Sequence, residues 1–584
     1  MRHIKPPGAG GDGDGGTAAA DLVSGSPEYD VVIIGGGLAG LTLAAQLKKV
    51  RPATSVLVLE RNRFPAPEAA FKVGESVAET GALYLADFVG IQEHLDRDQL
   101  PKHGLRFFLP PGDVEIEARV EVGAVDWPAA PTYQVDRGRL ENFLVDEVRR
   151  RGGEVREGSR VIDVEIERGH HRVRIAGSGE TGEASARWLV DASGRPGLLK
   201  RRLELDKKPA HNVSAAWFRV DARIDVERWC DTEEWRSRVP EGRRWLSTNH
   251  LLGSGYWVWL IPLASGATSV GVVADESIHP FESLNTLPRF MAWLREHEPQ
   301  CALQIEPHLP GLLDFQVLRN FVLGAKRVFS PDRWALTGDA GTFLDPLYSV
   351  GTNFVGSSNC YITDFVTRDL DGEDVDQAIE WANGAYIFQF EAVLKRFVGL
   401  YPVMGHAEAF YAQLVWNLAS FWSVPGLVFC QRRSTDQQFQ MSIAPIFMRY
   451  GRLNARTAAV WREWARREPS PPLAAGFLEP LRLGLLRGFN RDLTLAPLPA
   501  EELREKLLAN LARLEELAVE LFRRAEPGSN VSDIDPYAFE MPPIGARPTG
   551  PRAAPQPGSL AAELDEIWPA RAKTQPLPIT RSGG

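Results

Sequence analysis

Tyr29-Asp30-Val31-Val32-Ile33-Ile34 runs into Gly35-Gly36-Gly37-Leu38-Ala39-Gly40, and the reading of this stretch decides the fold. The β-branched run predicts a buried strand, and Leu41 to Lys49 has the spacing and composition of a helix. Ser55-Val56-Leu57-Val58-Leu59 predicts a second strand, ending at Glu60-Arg61. The unit is βαβ with an acid at the second strand's tip. Glycine at 35, 37 and 40 permits a tight turn, close approach of a pyrophosphate to the amides, and close packing of helix on strand. Leu38 and Ala39 open the helix, where an anion is well held. Glu60 is placed to accept hydrogen bonds from an adenosine ribose and disfavours a 2′-phosphate, so FAD or NAD fits better than NADP.

Outward from this unit, composition sets limits. The 584 residues are 44% hydrophobic and 24% charged, enough to bury a large core. With 66 Lys+Arg against 76 Asp+Glu the net charge is −10, which offers no bulk field for a phosphate backbone, and no nucleic-acid partner is expected. Cys230, Cys301, Cys360 and Cys430 are too sparse for a disulfide framework and lack the pairing of a zinc site. That usage suits a reducing cytoplasm, and no metal is expected. Residues 1–27 are rich in Gly, Ala and Asp without the pattern of an export signal, and predict a disordered leader. Ala409 to Cys430 carries no charge, but Gln413, Asn417, Ser420, Ser423 and Pro425 interrupt it. A buried helix pair around an apolar pocket is expected there rather than a membrane contact.

Two later segments repeat a strand followed by small residues: Val190-Asp191-Ala192-Ser193-Gly194-Arg195 and Trp334-Ala335-Leu336-Thr337-Gly338-Asp339-Ala340. Alone, each reads equally as a strand end or a cap. In order along one chain they resemble the second and third FAD-contact motifs of the FAD-dependent oxygenase superfamily, and Tyr133 to Leu144, with Arg137, resembles its segment beside the cofactor. The resemblance implies an α/β (α+β) fold. It would have a Rossmann-like FAD-binding domain of the para-hydroxybenzoate hydroxylase and glutathione reductase type, a substrate-domain β-sheet and a helical C-terminal extension. It also implies FAD contacts from Asp191 and Gly338, with Asp339 on the ribityl chain. No second glycine fingerprint for a nicotinamide is present, so FAD is expected to arrive reduced from a separate flavin reductase.

Three stretches narrow the resemblance to the flavin-dependent halogenases, the tryptophan-halogenase-like group. Gly255-Tyr256-Trp257-Val258-Trp259-Leu260-Ile261-Pro262 is similar to their Trp-x-Trp-x-Ile-Pro signature, with Tyr256 inserted after the glycine. Phe343 to Gly351 resembles their loop after the Gly-Asp motif, Pro346 included, and Phe71-Lys72-Val73-Gly74-Glu75-Ser76 their flavin-covering strap. The resemblance implies that Glu75 and Ser76 lie by the flavin, and that Trp257 and Trp259 wall it from the substrate. Read on their own, alternating aromatics on a strand are core.

Lys102, in Leu100-Pro101-Lys102-His103-Gly104, matches the spacing of the group's essential lysine; Lys72 ranks second. A buried ammonium hydrogen-bonds hypohalous acid, and a neutral amine forms a haloamine. Chloride or bromide is expected at a turn of backbone amides, Ser349, Val350 and Gly351. Tyr348 stands where tryptophan-specific members carry a glutamate, which argues for an activated ring such as a phenol or pyrrole, free or carrier-bound. Thr352-Asn353 also departs from the pattern. A monooxygenase hydroxylating an aromatic, a double-bond reductase and a non-enzymatic flavin-binding partner protein stay open as alternatives.

The expected layout is a leader (1–27), an FAD-binding domain (28–365) interleaved with substrate-domain sheet (about 100–135 and 205–325), a helical region (366–527) and a mostly disordered tail (528–584) with one short helix near Leu560 to Trp568. In the helical region Leu503, Leu507, Leu511, Leu514, Leu517 and Leu521 recur at spacings of three and four, the stripe of an amphipathic helix.

Overall fold

β1 (Tyr29–Ile34) is flanked on both edges by parallel strands, β2 (Val56–Leu59) on one side and Glu180–Asp191 on the other. Val31, Val32 and Ile33 have no exposure, as an unbroken β-branched run in a sheet covered on both faces requires. The structure, a computed structural model, describes residues 28–69, 72–177, 180–467, 473, 476–526, 535–538 and 556–568. The leader expected at 1–27 and most of the tail from 528 lie outside the described residues. The first sheet continues through Trp334–Leu336 to Phe329–Ser330 at one edge and ends at Glu154–Arg156 at the other. Between β1 and α1 (Leu38–Val50) the chain turns at Gly35, φ +111°, where a Cβ would stand 2.3 Å from the Ala192 carbonyl oxygen. Only glycine fits that position.

The second sheet has eight strands in the order Leu312–Leu318, Val213–Val220, Thr268–Asp275, Tyr256–Pro262, Thr248–Gly253, Leu105–Phe108, Glu121–Val122 and Phe477–Leu478. Gly255 is in the hairpin turn before Tyr256, so the extra tyrosine begins the strand and leaves Trp257 and Trp259 in one alternation. Those two indoles share the larger core with the first sheet, whereas Tyr256, Val258 and Leu260 face a separate core under the helix Leu287–His297. Arg219 ties the strap to this sheet. Its guanidinium is 1% exposed and pairs with Glu75 at 2.6 Å and Asp314 at 2.7 Å. Arg219→Met takes the cation away from the buried Glu75 carboxylate and is expected to destabilise the fold by about 3–5 kcal/mol, read as a lower midpoint in urea denaturation.

The C-terminal region packs helices Asp376–Phe397, Ala407–Phe421, Ala444–Arg467 and Ala500–Ala525 on the larger core. All six leucines of the stripe are fully buried. Ala409 to Cys430 is not a helix pair. Helix Ala407–Phe421 continues through a π-helical turn, Trp422–Gly426, into Leu427–Cys430, and Pro425, which has no N–H to give the ladder, lies in that turn. The region is also not wholly helical: Phe477–Leu478 adds a parallel edge strand beside Glu121–Val122. Among the described residues no helix is long and apolar enough to cross a membrane, and Leu560–Ile567 is the expected short helix.

Candidate active site

At the N-terminus of α1 the Leu38 amide donates to Glu141 Oε1 at 3.2 Å. Glu141 is fully buried between Lys72 and Arg137, and Arg137 also donates to the Val73 carbonyl at 2.7 Å. Two cations and the Leu38 amide therefore converge on the Glu141 carboxylate at the helix terminus, beside the path by which a pyrophosphate would approach. Glu60 Oε2 accepts the Gly36 amide at 2.6 Å and Oε1 the Asn62 amide at 2.9 Å, which fixes the acid at the tip of β2; Arg61 beside it is exposed. The third motif is brought to the first: a Cβ at Gly338 would lie 2.8 Å from the Cβ of Ala39, and Asn359 Nδ2 donates to the Ala39 carbonyl at 3.0 Å.

Asp339 follows Gly338. Burial raises its pKa against the lowering charges of Arg195, Arg137 and Lys200. Such a carboxylate at the end of the same cleft is suited to the hydroxyls of a ribityl chain, and together with the glycine cradle these residues fit FAD. Asp191 Oδ1 accepts the Ser193 amide at 2.9 Å and its Oδ2 the Leu199 amide at 2.7 Å, so this acid also holds the loop after the strand. Glu75 gives Oε1 to Arg219, while Oε2 is buried without a partner. The Pro346 carbonyl accepts the Ser349 amide at 2.9 Å, closing the turn before the helix Gly351–Leu370.

Lys102 is 3% exposed. Its Nζ lies 3.5 Å from the Val77 carbonyl and 3.5 Å from Ser349 Oγ. Ser349 Oγ in turn donates to Ser76 Oγ at 2.8 Å, and Ser76 meets Thr248 Oγ1 at 2.8 Å. Ser349 holds φ +58°, a left-handed conformation that a β-carbon disfavours. The amides of Val350 and Gly351 have no backbone acceptor as they open their 20-residue helix. Burial pushes the Lys102 ammonium down to about 8, and the Glu79 carboxylate opposes that shift. Glu79, which sequence reasoning missed, begins the short helix Glu79–Leu83 just past the strap, and burial raises its pKa. The only signal for it was an acid three residues after Ser76.

Lys102, Glu79 and Tyr348 face one cavity of ≈ 1250 Å³, part of it open to solvent. Leu105 and Phe107 of the second sheet, Phe354, and Phe397, Leu414, Phe421 and Trp422 of the C-terminal region supply its apolar walls. The Tyr348 hydroxyl donates to Gln413 Oε1 at 2.8 Å. Trp257 and Trp259 do not line it. Phe107 stacks on His250 at 4.5 Å between centroids, and Trp257 lies behind His250 at 5.5 Å. Trp257 Nε1 donates to the Tyr401 hydroxyl at 3.1 Å, which donates to Asp345 Oδ2 at 2.5 Å. The indole is thus tied to the loop that carries Ser349.

This cleft and cavity define an FAD-binding protein of the α/β class, and residues 28–267 match the FAD binding domain family model. The chain is similar to flavin-dependent halogenases. It is 30% identical over 354 residues to flavin-dependent halogenase chlA of Dictyostelium discoideum, covering 55% of this chain and 57% of the relative. It is 28% identical over 354 residues to the 1H-pyrrole-2-carbonyl (peptidyl-carrier protein) chlorinase of Pseudomonas fluorescens, covering 56% and 73%. Thus the chain spans little more than half the length of the first of these relatives. A crystal structure of a variant of halogenase PltM in complex with FAD shares the fold, with TM-score 0.60 and 16% identity over 85% of this chain and 96% of that one.

Proposed function

We propose that the protein is a flavin-dependent halogenase acting on an electron-rich aromatic ring, a phenol or pyrrole, free or carrier-bound. The observation that carries this reading is the burial of Lys102 between Ser349 and an apolar cavity, where a surface residue has no reason to be. Glu60, Arg137, Lys72, Asp339 and the amides at Leu38 and Ala39 would hold FAD. Reduced FAD, with oxygen, supplies the oxidising power that turns halide into hypohalous acid, and a separate flavin reductase would return the electrons. Val350 and Gly351 amides hold chloride or bromide. Lys102 receives the hypohalous acid past the Ser349 side chain and presents its halogen to the ring. Glu79 sets the charge of that amine, and Tyr348 shapes the cavity wall. Four free, buried cysteines suit a cytoplasmic protein.

The test is the full chain with FAD, a flavin reductase, bromide and a panel of phenols and pyrroles. Mass spectrometry is expected to show brominated product. Hydroxylated product instead would establish the monooxygenase reading. Because Glu79 raises the pKa of Lys102, Glu79→Gln is expected to move the Lys102-controlled limb of the kcat/KM profile to lower pH, whichever charge state of the amine is active. An unshifted limb would remove Glu79 from the scheme.

A further inference from the structure

His103 follows the lysine along the chain and lines the same cavity. It is 1% exposed, and neither ring nitrogen has a hydrogen bond of good geometry in the protein; the Asp126 backbone offers one of them a weak partner and leaves the other unmet. Its ring is held in place by the edge of Trp127, 4.8 Å between centroids at 83°, and its amide by the Leu246 carbonyl at 3.0 Å. A buried imidazole with a nitrogen unmet is costly unless something outside the chain meets it. Burial, with Arg106 and Arg243 nearby, lowers its pKa to about 3, so the ring is neutral and one nitrogen is a lone-pair acceptor.

We propose that His103 is the specificity residue of the cavity, accepting a hydrogen bond from the acidic donor carried by the substrate ring, an aromatic O–H or N–H. The inference rests on the halogenase reading for the identity of the cavity as a substrate site, and deepens it to a substrate class: donor-bearing aromatics with an apolar body. His103 directly follows Lys102, so a ring anchored on the imidazole lies within reach of the amine. Leu105, Phe107, Phe397 and Trp422 offer the rest of the ligand only apolar contact. A methyl ether of the same ring would keep that contact, lose the donor and strand the acceptor nitrogen.

The test is equilibrium binding of 2-naphthol and 2-methoxynaphthalene to the full chain loaded with oxidised FAD, without reductase or halide, by calorimetry. Wild type is expected to prefer 2-naphthol by about tenfold, the scale of one hydrogen bond to a buried group. His103→Phe is expected to abolish the preference with 2-methoxynaphthalene affinity unchanged, and His103→Gln, which keeps an acceptor, to retain part of it. If Phe lowers the melting temperature, His103→Leu makes the same measurement. Asn353, whose Oδ1 is also unpartnered at this cavity, is the rival acceptor. No preference in wild type, a preference surviving in His103→Phe, or one lost in Asn353→Ala alone would overturn the proposal. Since no turnover is involved, binding that behaves as expected in a protein that halogenates nothing sinks only the halogenase reading. Bromination with no His103-dependent preference sinks only this one.

Discussion

Lys102→Met is expected to lower halogenation by at least about a thousandfold while making the protein more stable. Methionine keeps the length of the side chain and suits an apolar wall, but its thioether has no N–H to orient hypohalous acid and is oxidised to the sulfoxide instead of passing halogen to the ring. The stability gain follows from burial. The ammonium titrates at about 8 in the fold against 10.5 for a free lysine, a difference worth roughly 3 kcal/mol. Below the folded pKa both states carry the proton, and the fold bears the whole penalty. Between the two values the folded chain releases its proton first, so the penalty shrinks as pH rises, and above 10.5 it is gone. Urea denaturation of the variant is therefore expected to show its largest advantage near neutral pH and a narrowing one in alkali. A variant less stable than wild type at neutral pH would show that the lysine is not held as a destabilised charge.

Gly37→Val separates cofactor binding from folding. Gly37 precedes α1 with φ −88° and ψ −174°, a conformation open to valine, and the nearest atom to an added Cβ is Lys72 Nζ at 4.0 Å. The chain has room for the added Cβ, and Lys72, whose flexible end is the nearest atom, can yield to the methyls beyond it. A dinucleotide pyrophosphate approaching the Leu38 amide cannot, and FAD affinity is expected to fall by at least about a hundredfold, with apoprotein stability within about 0.5 kcal/mol of wild type. Titration of the apoprotein with FAD, followed by quenching of flavin fluorescence, measures the first; urea denaturation measures the second. Undiminished affinity would place the cofactor elsewhere.

The βαβ unit was legible because each part signals within a dozen residues: a β-branched strand, glycines, an acid at a strand tip. The leucine stripe of Ala500–Ala525 was legible for the same reason, one period repeated over many turns. Asp191 shows where local reading leaves two roles open. An acid at a strand end serves a cofactor or the next turn equally well, and here the amides of Ser193 and Leu199 take both oxygens. His103 lies in a segment the sequence had already singled out and Glu79 just past another, yet nothing around them marks an acid opposite an amine or an imidazole nitrogen without a partner. Those properties depend on Ser349, Trp127 and the C-terminal helices, which the fold brings in from far along the chain. The length of the Ala409 to Cys430 run was visible, but not its π-helical turn, because a proline in an apolar stretch reads as a break when tertiary packing is unseen.

The strand Phe477–Leu478 hands the chain directly to Pro480 and Leu481, which seal part of the cavity next to Gly123 and Ala124. The flavin cleft is complete in sequence long before this plug arrives. Under the proposed reading, a chain lacking residues 477–481 would keep the residues assigned to FAD and lose part of the cavity wall. The cofactor residues and this part of the cavity wall are thus supplied by separate stretches of one chain, joined through a two-residue edge strand.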